Sequence, residues 1–282
     1  MTRGLHIAFV GCLGLSLVGC NKPEKTKPLW EQVKVGDIAP CGDGKRSMAQ
    51  MLKTINFGVH IFEIPAEKID ALDEVWHTLY TGPLRFNNYD AFGANSFAIG
   101  FGRVQMWNRI QNMLHAANGQ KIVTVSLLLS DGEDNDLVVR GLNKEQTVFY
   151  TTVNGSKEAA TVGPGVITLR MKAEKIRGSR DVCTLIAYPA FLVPAESAVP
   201  QLSARAKRRE FLFPCAAFGL KMGPGDFVVL GPKKYVSTQT TLGGLFFGKA
   251  EESLFFSATE RKPPEPKPAV RIFMLLCTKI NY

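Results

Sequence analysis

From residue 121 onward the chain alternates short apolar runs with Gly, Pro, Asn and Asp turns. The runs fall at 121–129, 137–139, 147–153, 166–173, 182–192, 211–220, 227–230 and 270–280. Apolar runs of this length, bounded by turn residues, read as strands. So many at close spacing predict a mostly antiparallel β domain over 120–282. Asn154-Gly155 is a hairpin signal, because the tight two-residue turn needs positive φ at its central positions. Residues 262–268 (Lys-Pro-Pro-Glu-Pro-Lys-Pro) predict a stiff polyproline spacer. The last run is long and apolar, which ties the final strand into a sheet.

The preceding segment, 54–119, has a different period. Ile55, Phe57, Val59 and Ile61 alternate as in a strand. Pro65 is placed to open a helix, and Ile69, Leu72, Trp76 and Leu79 then recur at helical spacing. Phe97, Ile99 and Phe101 return to alternation. A second helix over 103–117 turns Trp107, Ile110 and Leu114 inward, and Asn118-Gly119 ends it. The fold class expected is therefore α+β: a small βαβαβ-type module followed by the β domain. Both tryptophans fall on helical apolar faces and read as core.

The N-terminus carries a different kind of signal. Arg3 precedes a twelve-residue apolar stretch, 7–18, too short to span a bilayer as a helix, which needs about 20 residues. It closes on Leu17-Val18-Gly19-Cys20, with a small residue before a cysteine and polar Asn21-Lys22 after it. That arrangement resembles the cleavage site of bacterial lipoprotein signal peptides. The resemblance implies that 1–19 is removed and that the Cys20 sulfur is acylated. Two or three acyl chains hold a protein stably at a membrane, where one does not. Residues 20–53 would then be a lipidated tether, with Lys22, Lys25, Lys27 and Lys34 near the headgroups.

Removing 1–19 from 282 residues leaves 263, enough for one large or two modest domains. Apolar residues make up 45% and charged residues 21%, the balance of a globular chain. The net charge of +9 suits nucleic acid in the abstract, but export removes that partner. An anionic lipid surface or an acidic partner is expected instead, met by Lys207, Arg208 and Arg209 at the end of a polar loop. Cys41, Cys183, Cys215 and Cys277 remain in the mature chain, in a compartment that permits disulfides. Four cysteines allow three pairings. At most one bridge is expected, among the last three, with Cys41 free in the tether.

Motifs for chemistry are sparse. Gly100-Phe101-Gly102 lies between a predicted strand and helix, but Gln105 stands where a dinucleotide loop has its third glycine. Asp131-Gly132-Glu133-Asp134-Asn135-Asp136 is rich in oxygen ligands, yet an EF-hand loop needs Gly where Asp136 stands and Glu where Leu142 stands. It reads as a solvated turn. No G-x-S-x-G or H-E-x-x-H occurs. His60, His77 and His115 are scattered, and no Cys/His spacing suggests a zinc site. The expectation is a protein without catalytic residues, metal or cofactor.

Several pieces, in order, resemble the secretins of bacterial secretion systems. Asn95 to Gly100 and the helix to Leu114 are similar to their small ring-building modules. Val162-Gly163-Pro164-Gly165-Val166-Ile167-Thr168-Leu169 and Gly225-Asp226-Phe227-Val228-Val229-Leu230-Gly231 resemble strands of the secretin β domain. Leu242-Gly243-Gly244-Leu245-Phe246-Phe247 and 270–280 resemble its closing segment. The family's proline-rich gate-loop motif is absent, and 248–268 stands in its place. The resemblance implies a structural or assembly role in the cell envelope, facing the periplasm or exterior, with other envelope proteins or further copies of the chain as partners. The alternative is a monomeric periplasmic lipoprotein that binds a ligand or partner. A hydrolase comes third.

Overall fold

The computed structural model describes residues 53–179, 181–193, 209–235, 240–248 and 268–281. Its first strand, β1 (Thr54–Pro65), is followed by a 3₁₀ turn (Ala66–Leu72) and helix α1 (Asp73–Thr78). The two-residue β2 (Arg85–Phe86), α2 (Tyr89–Ala94) and β3 (Phe97–Arg103) come next. After a 3₁₀ turn (Val104–Met106) come α3 (Trp107–Ala116) and β4 (Gln120–Ser130). The rest is mostly strand: β5 (Asp134–Leu142), β6 (Gln146–Thr151), β7 (Lys157–Val162), β8 (Gly165–Lys175) and β9 (Cys183–Val193). It ends with β10 (Arg209–Leu212), β11 (Phe218–Met222), β12 (Asp226–Pro232), α4 (Leu242–Phe247) and β13 (Ala269–Ile280). The protein is mixed α+β, and its strand ladders are antiparallel.

Two sheets face each other. One has the order β3-β12-β13-β1-β4. The other runs β2-β11-β9-β8-β5, with β10 added on β9. The five-stranded sheet takes three strands from segment 54–130 and two from the C-terminal part, so the segments on either side of residues 119/120 share one sheet. β13 lies inside it: Ile61 is opposite Phe273 on one side, and Leu230 is opposite Phe273 on the other.

Alternation explains the layering. On β13, Phe273, Leu275 and Cys277 point into the space between the sheets. Val270, Ile272 and Met274 point the other way, onto Leu72, Val75, Ile110 and Leu114 of the helical layer. β12 divides in the same manner, with Val228 and Leu230 inward and Phe227 and Val229 under the helices. Helix α3 ends as its sequence predicts: Asn118 adopts φ +59°, and the N–H groups of Asn118 and Gly119 donate to His115 and Leu114 carbonyls at 2.9 and 2.8 Å.

Gly100 and Gly102 do not form a loop. Both are inside β3, where a Cβ on Gly100 would stand 2.4 Å from that of Leu79, and one on Gly102 would stand 2.4 Å from the Phe227 ring. Gly100 leaves room for Leu79 at the end of α1, and Gly102 leaves room for the Phe227 ring of the neighbouring β12. α2 and α4 were not anticipated. Each has six residues, shorter than a helical period pattern can register, and each is opened by a side-chain cap, Asn88 and Thr241 respectively. β7 was missed because it is polar and mostly exposed.

Candidate functional site

A cleft of about 630 Å³ lies along the free side of β3. α1 supplies Asp73, Trp76 and His77; α2 supplies Tyr89 and Asp90; Lys233 and Lys234 enter just after β12. Its floor is the edge of the five-stranded sheet at Phe97 to Ile99. Phe101 exchanges both main-chain hydrogen bonds with Tyr80 at 2.8 Å, on the side of β3 away from β12. By strand alternation, Phe97 and Ile99 turn their N–H and C=O groups to that same side, into the cleft. Gly231 lets the Trp76 ring lie over the sheet, since a Cβ there would be 3.2 Å from it. The Lys233 ammonium lies over Gly93, 3.6 Å from where a Cβ would stand, an ordinary contact. The opening thus offers an aromatic wall, two ammonium groups, two carboxylates and unpaired strand main chain.

The opposite edge of the same sheet is β4. Among the described residues it pairs with β1 alone. Leu128 is 62% exposed there, and between Ile122 and Ser130 the strand carries neither charge nor proline.

The acidic turn is spent on structure. Asp131 accepts the Lys175 main-chain N–H at 2.7 Å. Asp136 accepts Arg170 Nε and Nη2 at 2.9 and 3.1 Å, while Arg170 Nη1 donates to Glu210 at 2.8 Å. These hydrogen bonds to Asp136, and then to Glu210, raise the Arg170 pKa further. Among the described residues, no three His, Cys, Asp or Glu side chains gather as a metal set. The histidines are separate. His60 shares a 3.2 Å hydrogen bond with Thr124 and meets the Trp107 ring edge-on at 4.9 Å. Burial, and then the charge of Lys121, hold its pKa below the usual value. His115 bonds the Gly119 carbonyl at 3.0 Å, and His77 lines the cleft.

Leu17, Val18, Gly19, Cys20, Lys207 and Arg208 lie outside the described residues, as does Cys41. Arg209 opens β10, opposite Val193. Trp107 packs on Phe227 with ring centroids 5.2 Å apart, a core contact, whereas Trp76 is both core and cleft wall. Tyr89, Lys233 and Lys234 escaped the sequence reading. The Lys-Lys doublet that ends an apolar strand was the available signal. Among the described residues, no helix is long and apolar enough to cross a membrane.

The sequence matches no family model and no curated protein. Among solved structures, the chain is similar to the secretin-domain β-barrel of InvG from the Salmonella SPI-1 injectisome, at 9% identity and a TM-score of 0.24. That match covers 82% of this chain and 64% of the other. It is also similar to the Klebsiella pneumoniae type II secretion outer-membrane complex of PulD, PulS and the PulC HR domain, at 12% identity and TM-score 0.18, over 79% and 38%. Aeromonas hydrophila ExeD follows at 10% and 0.18, over 79% and 44%. The chain spans less than two thirds of the length of each. Likeness at this level assigns neither fold nor function.

Proposed function

We propose that this is a lipid-anchored bacterial envelope protein without catalytic activity, which assembles with copies of itself or with other envelope proteins through sheet edges. The anchor rests on Leu17-Val18-Gly19-Cys20, and the secretin-like role rests on the ordered motifs from Asn95 onward. The observation that carries the assembly reading is the state of β4. Exposed strand edges template pairing with another chain, and proteins ordinarily blunt them with Lys, Pro or bulges. β4 holds an 11-residue edge with Leu128 outward and no Lys or Pro after Lys121; its register slips at Ile122, and from Val123 to Ser130 the edge runs without a further bulge. β3 offers a second edge at the far side of the same sheet, so head-to-tail pairing of copies is geometrically open.

Light scattering of the full chain in mild detergent tests this. We expect a multimer that Leu128→Lys converts to monomer with unchanged circular dichroism. A monomeric wild type would end the assembly reading. The anchor has its own test: labelled palmitate should enter the wild type and not Cys20→Ser. The cleft favours a second reading, a monomeric lipoprotein that holds a ligand against β3, since 630 Å³ is within the range of small-molecule sites.

A further inference from the structure

Cys183 and Cys277 are fully buried on inward-facing positions of different sheets. Cys183 is the first residue of β9, and Cys277 lies near the end of β13. One short connection brings them to the same corner of the sandwich. In the six-stranded sheet Met222 lies directly opposite Cys183. Three residues later the Gly225 N–H donates to the Cys277 carbonyl at 2.8 Å, and Phe227 is then opposite Leu276 in the five-stranded sheet. The turn between β11 and β12 is pinned by Asp226, whose carboxylate accepts the Gly223 N–H at 2.8 Å. Gly225 adopts φ +88°, a conformation that suits glycine and lets the chain pass from one sheet to the other. Stacked sheets ordinarily lie about 10 Å apart, but here the chain crosses between them in a few residues. Both thiols are free and buried at that corner, close enough for each to shift the other's pKa.

We propose that Cys183 and Cys277 are the two halves of a disulfide that joins the sheets, formed by exchange with a disulfide-bearing oxidant. Its formation inside the cell rests on the export reading above. One cysteine, as thiolate, attacks a sulfur of the oxidant disulfide and expels one oxidant thiol, which leaves a mixed disulfide. The second cysteine, as thiolate, attacks the protein sulfur of that bond and expels the other oxidant thiol. The new S–S bond replaces the oxidant's own, two electrons pass to the oxidant, and the protons of the two cysteines end on its thiols. The neighbouring Cys277 thiol lowers the Cys183 pKa, so Cys183 is the better first nucleophile. Cys215 stays out. It is buried in the turn Pro214–Ala216 beside Asn95 and Tyr150, and burial pushes its pKa up to about 11.

The full chain, unfolded and reduced, is refolded with a mixture of reduced and oxidised glutathione. It is then alkylated in denaturant without reductant and mapped by mass spectrometry. A peptide pair joined at Cys183 and Cys277, with Cys215 alkylated, is expected. Reduction should lower the thermal midpoint by roughly 5–15 °C in the wild type and in Cys215→Ala, and not in Cys277→Ala. Recovery of both Cys183 and Cys277 as alkylated thiols, or of either joined to Cys215 or Cys41, would overturn the proposal. This outcome does not depend on location. The same mapping on protein from bacterial membranes reads the compartment: thiols there, with the bridge forming in the refolding mixture, would count against export and leave the pairing standing.

Discussion

The five-stranded sheet turns apolar side chains to both sides, whereas the six-stranded sheet does so on one. On β13, Ile272 and Phe273 are adjacent in sequence, point in opposite directions, and are both fully buried. On β8 only the inward set, Ile167, Leu169, Met171 and Ala173, joins the core. Its outward set is Thr168, Arg170, Lys172 and Glu174. The cause is the helical layer. α1 and α3 roof one sheet; on the other, Thr168, Arg170 and Ala190 are buried beside β10 while Glu174 and Ile186 stand exposed, and that outer face carries paired charges. Lys172 and Glu174 meet at 2.7 Å, and Arg170 is clamped by Asp136 and Glu210. The same contrast bears on function. An outward face carrying these charges has the opposite pattern from a lipid-facing barrel strand, which is apolar outward.

The sharpest way to break the contrast is to delete one large side chain from the doubly buried sheet. Phe273 is 0% exposed and packs on the rings of Phe246 and Phe247, with centroids 5.7 and 6.3 Å apart. Phe273→Ala should cost about 3–5 kcal/mol in urea denaturation, through lost transfer energy and the cavity left behind. Ile186 on the outer face of the six-stranded sheet is 42% exposed, and Ile186→Ala should change stability by no more than about 0.5 kcal/mol. Comparable losses at the two positions would mean that Ile186 is covered in solution.

A smaller effect is expected from the ion cluster that substitutes for a roof. Asp136→Asn keeps the shape but removes the charge that holds Arg170, whose side chain is 9% exposed. A buried cation that loses one of two partners should cost about 1–3 kcal/mol. Because the pair is shielded from solvent, 1 M salt should reproduce little of that loss in the wild type. A loss fully reproduced by salt would show the cluster to be a surface feature.

Much of this contrast was legible in the sequence. The unbroken apolar run at 227–230 and the dense run at 270–280 mark strands covered on both sides, as β12 and β13 are. The alternation of Thr168 to Glu174 marks a strand covered on one. What periodicity does not carry is pairing partners. Nothing in the run of β1 says that its neighbours are β4 and, across more than two hundred residues, β13. The cleft was hidden for the same reason. Trp76 and Tyr89 come from α1 and α2, Ser96 and Lys233 from just before β3 and just after β12, and they meet only because β12 returns beside β3. The Cys183–Cys277 pair was one choice among several until the β11–β12 turn joined their neighbours.

The smallest expected effect lies where the roof of the five-stranded sheet thins out, at His60. Its side chain faces the helical side of β1, against the Trp107 ring and the Thr124 hydroxyl, near Lys121. Burial first, and Lys121 second, lower its pKa from the usual 6.5. The unfolded chain therefore takes up a proton at this site at higher pH than the folded chain does. Stability from His60 is full above the usual value, declines as pH falls between that value and the lower folded one, and is flat below it. The six-stranded sheet has no counterpart, since Arg170 keeps its charge throughout. His60→Gln should therefore remove a modest loss of stability between neutral and mildly acidic pH, and leave stability above neutrality nearly unchanged. Lys121→Gln should shrink the loss without abolishing it, because burial is the larger cause. The check is a urea midpoint series from pH 8 to 5, with NMR titration of the imidazole. A His60 that titrates at its usual value would mean that α3 does not shield β1, and that the two sheets differ less on their outer faces than the packing of Trp107 indicates.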